Sequence, residues 1–266
     1  MSRLQEAREA VASAFRPRLL WAVQFVANLF LFGLFAGWLL IPVARAWQLV
    51  LNAILAIVIV VAAVAVQAGT MNYFSDKKRI ENPKLPDPFR RAMRHVVAIG
   101  VCAAVFYLLW TLLDKTDPYQ AQFPPYLRSI LPAFVRRHLS LKFLDATFGW
   151  TIFAARWIGV PGLVLPFLGR TADLGFRGFG RLGYSAWRKA MSSASYWLVL
   201  AGAAFVGVIA TQKIMNWTPD FRTSTFRHES FSLAFRLPLA YVLGLVAWMV
   251  TCSLLGRLST RQRDAG

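Results

Sequence analysis

Charged residues, and acidic ones above all, are scarce in this sequence. Only 16% of its 266 residues are charged, whereas soluble proteins carry about 25%. Asp and Glu together number 12, against 30 Lys and Arg. None of these acids lies within the long apolar blocks of the chain. A proton-coupled pump needs Asp, Glu or His inside such blocks to relay protons. The shortage therefore disfavours that class of transporter.

Cysteine and the common catalytic motifs are also scarce or missing. The two cysteines, Cys102 and Cys252, lie within apolar blocks and outside any cluster of Cys and His. That placement argues against a disulfide framework and against a zinc site. The motifs HExxH and GxSxG and the P-loop do not occur in the sequence. We therefore expect no cofactor, no metal and no catalytic centre of these classes.

Apolar residues are abundant, and they are grouped in long blocks. They make up 57% of the chain, compared with about 45–50% in soluble proteins. Five blocks are uncharged, namely residues 19–43, 48–73, 96–113, 192–212 and 237–256, and a sixth, 148–168, contains one charge. About 20 apolar residues cross the hydrocarbon layer as a helix, so each block predicts a membrane-spanning helix. The first block is longer than the ~7–15 apolar residues of a signal peptide, and we expect it to be retained.

The blocks predict an all-α integral membrane protein with six transmembrane helices arranged as three helical hairpins. The predicted spans lie at about 19–43, 48–70, 93–113, 148–168, 194–212 and 237–256, within a single domain of residues 19–256. Interfacial amphipathic helices accompany them. Residues 1–18 place Leu4, Ala7, Val11 and Phe15 on one face, and residues 127–143 interleave apolar and basic side chains. Residues 257–266 form a basic cytoplasmic tail.

The net charge of +18 is concentrated in the connections between the blocks. With six spans and a cytoplasmic N-terminus, 19 Lys and Arg face the cytoplasm and 9 face outward, as the positive-inside rule requires. This bias vanishes if the fourth block enters the membrane and returns. The pattern predicts a multi-pass protein of the cell membrane, the bacterial inner membrane, with both termini cytoplasmic. It points to anionic lipids rather than nucleic acid as partners. The cations expected to contact lipid phosphates are Arg90, Arg91, Arg170, Arg177, Arg181, Arg188 and Lys189.

A glycine-rich stretch in one of these connections, residues 178–183, reads GFGRLG and matches a dinucleotide-binding fingerprint. That fingerprint needs a buried strand before it and an acidic residue about 20 positions later. Here an apolar block precedes the glycines, and no Asp or Glu occurs between Asp173 and Asp220. We interpret the stretch as a flexible cytoplasmic turn at the lipid surface.

Arg156 is the only charged residue of the fourth block. A charge near the middle of a membrane helix costs at least ~2.5–3.5 kcal/mol, so it usually faces a cavity or the interior of a bundle. Pro161, Gly162 and Pro166 follow it and predict a broken helix. A substrate pathway and a snorkelling side chain both remain open as interpretations. Asp114 is the expected counter-charge, with Asn52 and Tyr107 as neutral partners.

Amide side chains and small residues mark further contacts between helices. Gln24 and Asn28 share a face of the first predicted span, and Asn52 and Gln67 lie in the second. They predict hydrogen bonds within a tight hairpin or, alternatively, a polar lining for a translocation path. Small residues also recur four positions apart, at Gly33 and Gly37, Gly100 and Ala104, Ala203 and Gly207, and Ala240 and Gly244. Such pairs let helices approach closely.

Three classes of function follow from these features. The first is a non-catalytic membrane subunit or scaffold that acts through helix–helix contacts with other membrane subunits or with copies of itself. The second is a transporter or channel-like permease, for an anionic solute, with Arg156 and the broken fourth span on its pathway. The third is a membrane enzyme that acts on lipid or envelope precursors at the outer face, through His138 and Asp145. The shortage of catalytic groups favours the first.

Overall fold

The computed structural model of the chain describes residues 3–42, 45–77, 84–217 and 226–260. The ordered elements within these ranges are all helices. Six helical stretches are long and apolar enough to cross a membrane, judged by length and composition. The prediction of an all-α chain with six long apolar helices is therefore confirmed for the described residues. The arrangement as three hairpins stays a prediction.

The helices follow one another with short connections. They are α1 (Arg3–Phe15), α2 (Arg18–Leu39), α3 (Ala46–Lys77), α4 (Pro86–Arg94), α5 (Val96–Asp114), α6 (Asp117–Gln120), α7 (Phe123–Ile130), α8 (Ala133–His138), α9 (Leu141–Ala154), α10 (Val160–Leu174), α11 (Arg181–Ser192), α12 (Ala194–Ala204), α13 (Thr211–Met215) and α14 (Phe226–Thr260). A π-helical segment, Ala155–Gly159, joins α9 to α10, and another, Phe205–Ala210, joins α12 to α13. A 3₁₀ segment, Gly175–Phe179, follows α10.

The fourth apolar stretch is longer than predicted and is not broken. It runs without interruption over Leu141–Phe179, which is 39 residues, and Pro166 lies inside α10. The π-helical segment accounts for the continuity at Pro161, because it gives α10 a new N-terminal turn that contains this residue. A proline is tolerated in a first helical turn, where its missing N–H would have had no partner. The predicted break at Pro161, Gly162 and Pro166 is therefore wrong.

The long helices pack as one bundle around α3. This helix contacts α2, α5, α10 and α14, while α12 and α13 pack along α14. The buried core lies toward the end that carries α1, α4 and α11, and we call it the α4 end. Tyr196, Met71, Met249 and Cys252 are fully enclosed there. The opposite end carries α6, α7 and α8, and we call it the α7 end.

The N-terminal helix α1 is present as predicted, and it packs against the bundle through Ala7, Ala10 and Ala14. Ala10 and Ala14 are fully buried, whereas Val11 and Phe15 are 41% and 50% exposed. Small side chains let α1 approach α14 closely, and the hydroxyl groups of Ser13 and Ser253 lie 2.5 Å apart at this contact. Of the face predicted to lie on the membrane, Ala7 is buried whereas Val11 and Phe15 remain exposed, and contact of this face with lipid stays a prediction.

Candidate functional site

A chain of hydrogen bonds joins the middle of α2 to the C-terminal half of α3. Asn28 Nδ2 donates to Gln24 Oε1 at 2.9 Å, and Gln67 Nε2 donates to Asn28 Oδ1 at 3.0 Å. Gln24 Nε2 in turn donates to Thr70 Oγ1. The amides expected to bond within the first pair of spans are thus brought together, except Asn52. Because such bonds must form between helices in an apolar medium, they fix how α2 and α3 align.

Beside this amide chain lies an open groove between α2, α3 and α14, with a volume of about 740 Å³. Rings and neutral polar groups line it, among them Phe25, Asn28, Phe32, Gln67, Tyr241 and Trp248. No Lys, Arg, Asp or Glu is among its lining residues. Its volume falls in the range of about 300–1,000 Å³ that is typical of small-molecule pockets. The sequence analysis did not predict it, because a cavity depends on the spacing of three helices.

Arg156 occupies the π-helical segment between α9 and α10 and is paired. Its Nη2 atom lies 2.9 Å from Asp114 Oδ1 and 2.7 Å from Asp117 Oδ1. The guanidinium also lies over the ring of Trp110, at 5.7 Å from the ring centroid, and Trp157 meets that ring edge-on at 4.5 Å. The expected contact with Asp114 is therefore present, and Asp117 is a second partner at the α7 end.

The other two residues expected around Arg156 lie elsewhere. Asn52 is joined to α2, since its backbone oxygen accepts from Trp38 Nε1 at 3.1 Å. The side chain of Tyr107 is 69% exposed. Two carboxylates and one guanidinium leave the Arg156 cluster with a formal charge of about −1, which repels an anion rather than attracting it. The hypothesis of an anion pathway depended on an unpaired positive charge at Arg156, and in the structure that charge is paired with Asp114 and Asp117.

A second Arg–Asp cluster, which sequence reasoning missed, lies at the α4 end. Arg91 of α4 forms two hydrogen bonds to Asp76 of α3, at 2.9 and 3.1 Å, and one to Asp173 of α10, at 2.7 Å. Burial alone lowers the pKa of Arg91, but the bonds to the two aspartates outweigh it, and the pKa is raised above its ordinary value. The guanidinium therefore ties three helices together and stays charged.

Asn72 reinforces this junction from one turn away. The residue is fully buried, and its Nδ2 atom donates to Ala172 O at 2.9 Å and to Pro88 O at 3.3 Å. Asn72 and Asp76 are four residues apart, on one face of α3, at the border of an apolar block. That spacing was the available signal for the cluster, because i and i+4 side chains of a helix point the same way.

The glycine-rich stretch after α10 is a tightly packed turn. Gly175 has a φ of +63°, a conformation that suits glycine. A Cβ on Gly178 would lie 2.7 Å from the backbone nitrogen of Thr171, and a Cβ on Gly183 would collide with the carbonyl oxygen of Gly178. Gly178 and Gly183, two of the three glycines in the match to the nucleotide fingerprint, therefore serve close backbone packing. The expected flexible turn is instead closely fitted to α10.

The cations expected to reach lipid phosphates divide into two groups. Exposed side chains belong to Arg90, Arg177, Arg181, Arg188 and Lys189. Arg91 and Arg170 differ from the expectation, because Arg91 bonds to Asp76 and Asp173 and Arg170 is only 6% exposed. Arg91 lies where α3, α4 and α10 converge, and Arg170 lines a small cavity together with residues of α3, α11 and α14, so helix packing takes both away from the surface.

The residues suggested for an enzyme are not joined into a site. His138 Nδ1 lies 2.9 Å from Phe134 O, within its own helix, and Asp145 is exposed on α9. Among the described residues, no group of three or more His, Cys, Asp or Glu is placed to hold a metal ion. Comparison of the chain with protein-family models, with curated proteins and with solved structures finds no match.

Proposed function

We propose that the chain is a multi-pass protein of the bacterial inner membrane that acts as a non-catalytic subunit or scaffold through helix–helix contacts. The exposure of its apolar helices supports this. Only 17% of the apolar window of α2 and 6% of that of α3 are buried within the chain, compared with 56% in α14. Exposed apolar helices of this length need lipid or other helices around them.

The observation that carries the proposal is the unoccupied small-residue face of α2. A Cβ added at Gly33 or at Gly37 would meet no described atom within 4 Å. Phe30, one turn before Gly33, is 66% exposed. By contrast, a Cβ on Gly207 would lie 3.1 Å from Ala247 Cβ, so a motif of the same kind is used inside the bundle. The α2 face is left for a helix of another chain, because small residues favour close approach in membranes.

Charge supports the proposed orientation. The exposed cations Arg90, Arg177, Arg181, Arg188 and Lys189 gather on α4, α11 and the turn before α11, all at the α4 end. Under the positive-inside rule this end faces the cytoplasm, where these side chains contact anionic lipids. A juxtamembrane cation contributes roughly 1 kcal/mol to such binding.

The test is photo-cross-linking in the native membrane. Cys102 and Cys252 are replaced by Ser, and Gly37→Cys carries a thiol-reactive photo-cross-linker, which captures a neighbouring helix whether or not that helix holds a cysteine. We expect a cross-linked product whose mass gives either twice this chain or this chain plus a partner subunit. Gly33→Leu should reduce that product about tenfold by separating the helices. Gly149→Leu is the matched control, because Gly149 also has no described atom within 4 Å of an added Cβ and belongs to none of the small-residue pairs. Absence of any product in native membranes would overturn the proposal.

A further inference from the structure

Another groove lies on the side of the bundle between α5, α10 and α11, with a volume of about 460 Å³. We call it the α5 groove. Its wall on α5 runs from Cys102 to Leu109, and its facing wall belongs to α10. This stretch of α5 rises by about 10 Å, which is less than half of the ~30 Å hydrocarbon layer. The groove therefore follows the helices within one leaflet, in the direction that acyl chains take.

The lining of the α5 groove changes along its length. Aliphatic side chains of α5 and α10, among them Val105 and Leu163, line the part that lies deeper in the bundle. Three rings line the part at the α4 end, and they belong to Phe179, Tyr184 and Trp187. The rings of Tyr184 and Trp187 are stacked, with 5.8 Å between their centroids. Because Tyr and Trp favour the headgroup level of a membrane, these rings mark the end of the groove that opens at the lipid surface.

Two exposed cations flank the ring end of the α5 groove. Arg181 precedes Tyr184 by three residues and Arg188 follows it by four, so the three side chains lie on one face of α11. Both arginines are exposed, and neither forms an ion pair with a described residue. Helix α11 contains three cations and no acid. An uncompensated positive charge at the mouth of an apolar groove complements a ligand that joins an anion to a long apolar chain.

We infer that the α5 groove binds one anionic phospholipid, with an acyl chain between α5 and α10 and the phosphate at Arg181 and Arg188. Arginine pairs with phosphate through parallel N–H···O hydrogen bonds, and the aliphatic walls give the chain the contacts that neighbouring lipid tails would give. The inference rests on the proposed function, in which the chain spans a membrane and the α4 end contacts anionic lipids. It assigns to that general attraction one defined site.

Two other occupants use only part of this site. An uncharged lipid such as diacylglycerol fills the groove but leaves Arg181 and Arg188 without an anion. An apolar helix of another chain covers the groove and likewise offers the two arginines no negative charge. An anionic phospholipid uses the groove and the cations together, and the charge of α11 therefore favours it over both.

The experiment is photolabelling of the full-length protein in phosphatidylcholine vesicles that contain a trace of phosphatidylglycerol with a diazirine in its acyl chain. Labelled peptides are identified by mass spectrometry. We expect label on the walls of the groove in α5 and α10, and we expect unlabelled phosphatidylglycerol to displace it. Diacylglycerol with the same chains should not compete, because it lacks the phosphate. The probe is present in both leaflets, so the result does not depend on which end faces the cytoplasm.

A first pair of variants tests the apolar part of the site. Val105→Trp fills the groove and should abolish labelling of its α10 wall. Val242→Trp, on α14, is the matched control, because Val242 lies outside the groove and is 42% exposed, compared with 45% for Val105. Labelling of the control should equal that of the unaltered protein.

A second pair tests the charged part. Arg181→Gln together with Arg188→Gln should reduce labelling of the groove about tenfold, because two cations near the lipid surface are lost. Arg90→Gln together with Lys189→Gln is the matched control, since it removes the same charge from two other exposed residues of the α4 end. This double variant should keep the label.

Four results would overturn the inference. They are equal labelling by a phosphatidylcholine probe with the same diazirine, displacement by diacylglycerol, label that persists in Val105→Trp, and an equal loss of label in the two double variants. The first two are measured on the unaltered chain and stand even where a variant fails to fold. None of the four bears on contact at the α2 face, so the two proposals fail separately.

Discussion

Arg91 at the α4 end and Arg156 at the α7 end each contact two aspartates, but burial is distributed in opposite ways. Around Arg91 the acids are covered, with Asp76 and Asp173 side chains 7% and 10% exposed. Around Arg156 the cation is covered, at 17%, and the acids Asp114 and Asp117 are 48% and 47% exposed. The first cluster holds acids that depend on their cation, and the second holds a cation whose acids remain in contact with solvent.

The largest effect is expected at the α4 end. Arg91→Leu removes the guanidinium that bonds to the buried carboxylates of Asp76 and Asp173, and breaking a buried pair in this way costs about 3–5 kcal/mol. The measurement is the free energy of unfolding in detergent micelles. Arg90→Leu, at the exposed neighbouring position, is the control and should change it by less than ~0.5 kcal/mol. Equal effects of the two variants would show that the α4 end does not depend on its ion pairs.

A packing test sharpens the same comparison. Gly183→Ala forces a methyl group against the carbonyl oxygen of Gly178, and overpacking of this kind costs about 1–3 kcal/mol. Gly180→Ala is the control, because its Cβ would lie at an ordinary 3.5 Å from Arg177 O. Thermal unfolding should separate the two variants by several degrees. Identical melting temperatures would mean that the backbone of the turn after α10 can shift to accept the added methyl group at little cost in stability.

At the α7 end, the two acids are expected to substitute for each other. Asp114→Asn or Asp117→Asn alone should have little effect, since Arg156 keeps one carboxylate. The double variant leaves a largely covered cation unpaired and should cost about 2 kcal/mol. A double-mutant cycle on unfolding free energy measures this coupling. Strict additivity of the two substitutions would contradict the shared contact.

The smallest effect is expected for Arg156→Leu. The two aspartates it leaves behind are about half exposed and can be hydrated, so the loss should stay within ~1 kcal/mol, as for exposed ion pairs. Unfolding of this variant is compared directly with that of Arg91→Leu. A loss as large as that of Arg91→Leu would show that the two clusters are equivalent.

The α4 and α7 ends also differ in how far their Arg–Asp contacts could be predicted from the sequence. A charge inside an apolar block is conspicuous, so Arg156 and its partner Asp114 were predictable. The Arg91 cluster was not, because Asp76 lies at the border of a block and its partners come from α4 and α10, whose packing depends on the whole bundle. The spacing of Gln24 and Asn28 predicted a shared face, but the hydrogen bond from Gln67 depends on how α2 and α3 align.

The prolines after Arg156 led to the wrong prediction of a broken helix for a related reason. Pro161 and Pro166 normally interrupt an α-helix, yet a π-helical segment restarts the helix just before Pro161. Such a segment leaves no simple sequence pattern, since it depends on neighbouring helices that hold the widened turn. The long apolar helices themselves were predictable, because composition alone decides them.

The central claim is that the described bundle spans the membrane with the α4 end in the cytoplasm. Single cysteines at the exposed positions Arg181, at the α4 end, and Arg137, at the α7 end, test it in a background with Cys102 and Cys252 replaced by Ser. A membrane-impermeant thiol reagent is applied to intact cells. We expect Arg137→Cys to be labelled at once and Arg181→Cys only after the membrane is permeabilised. Labelling of Arg181→Cys in intact cells would contradict the claim.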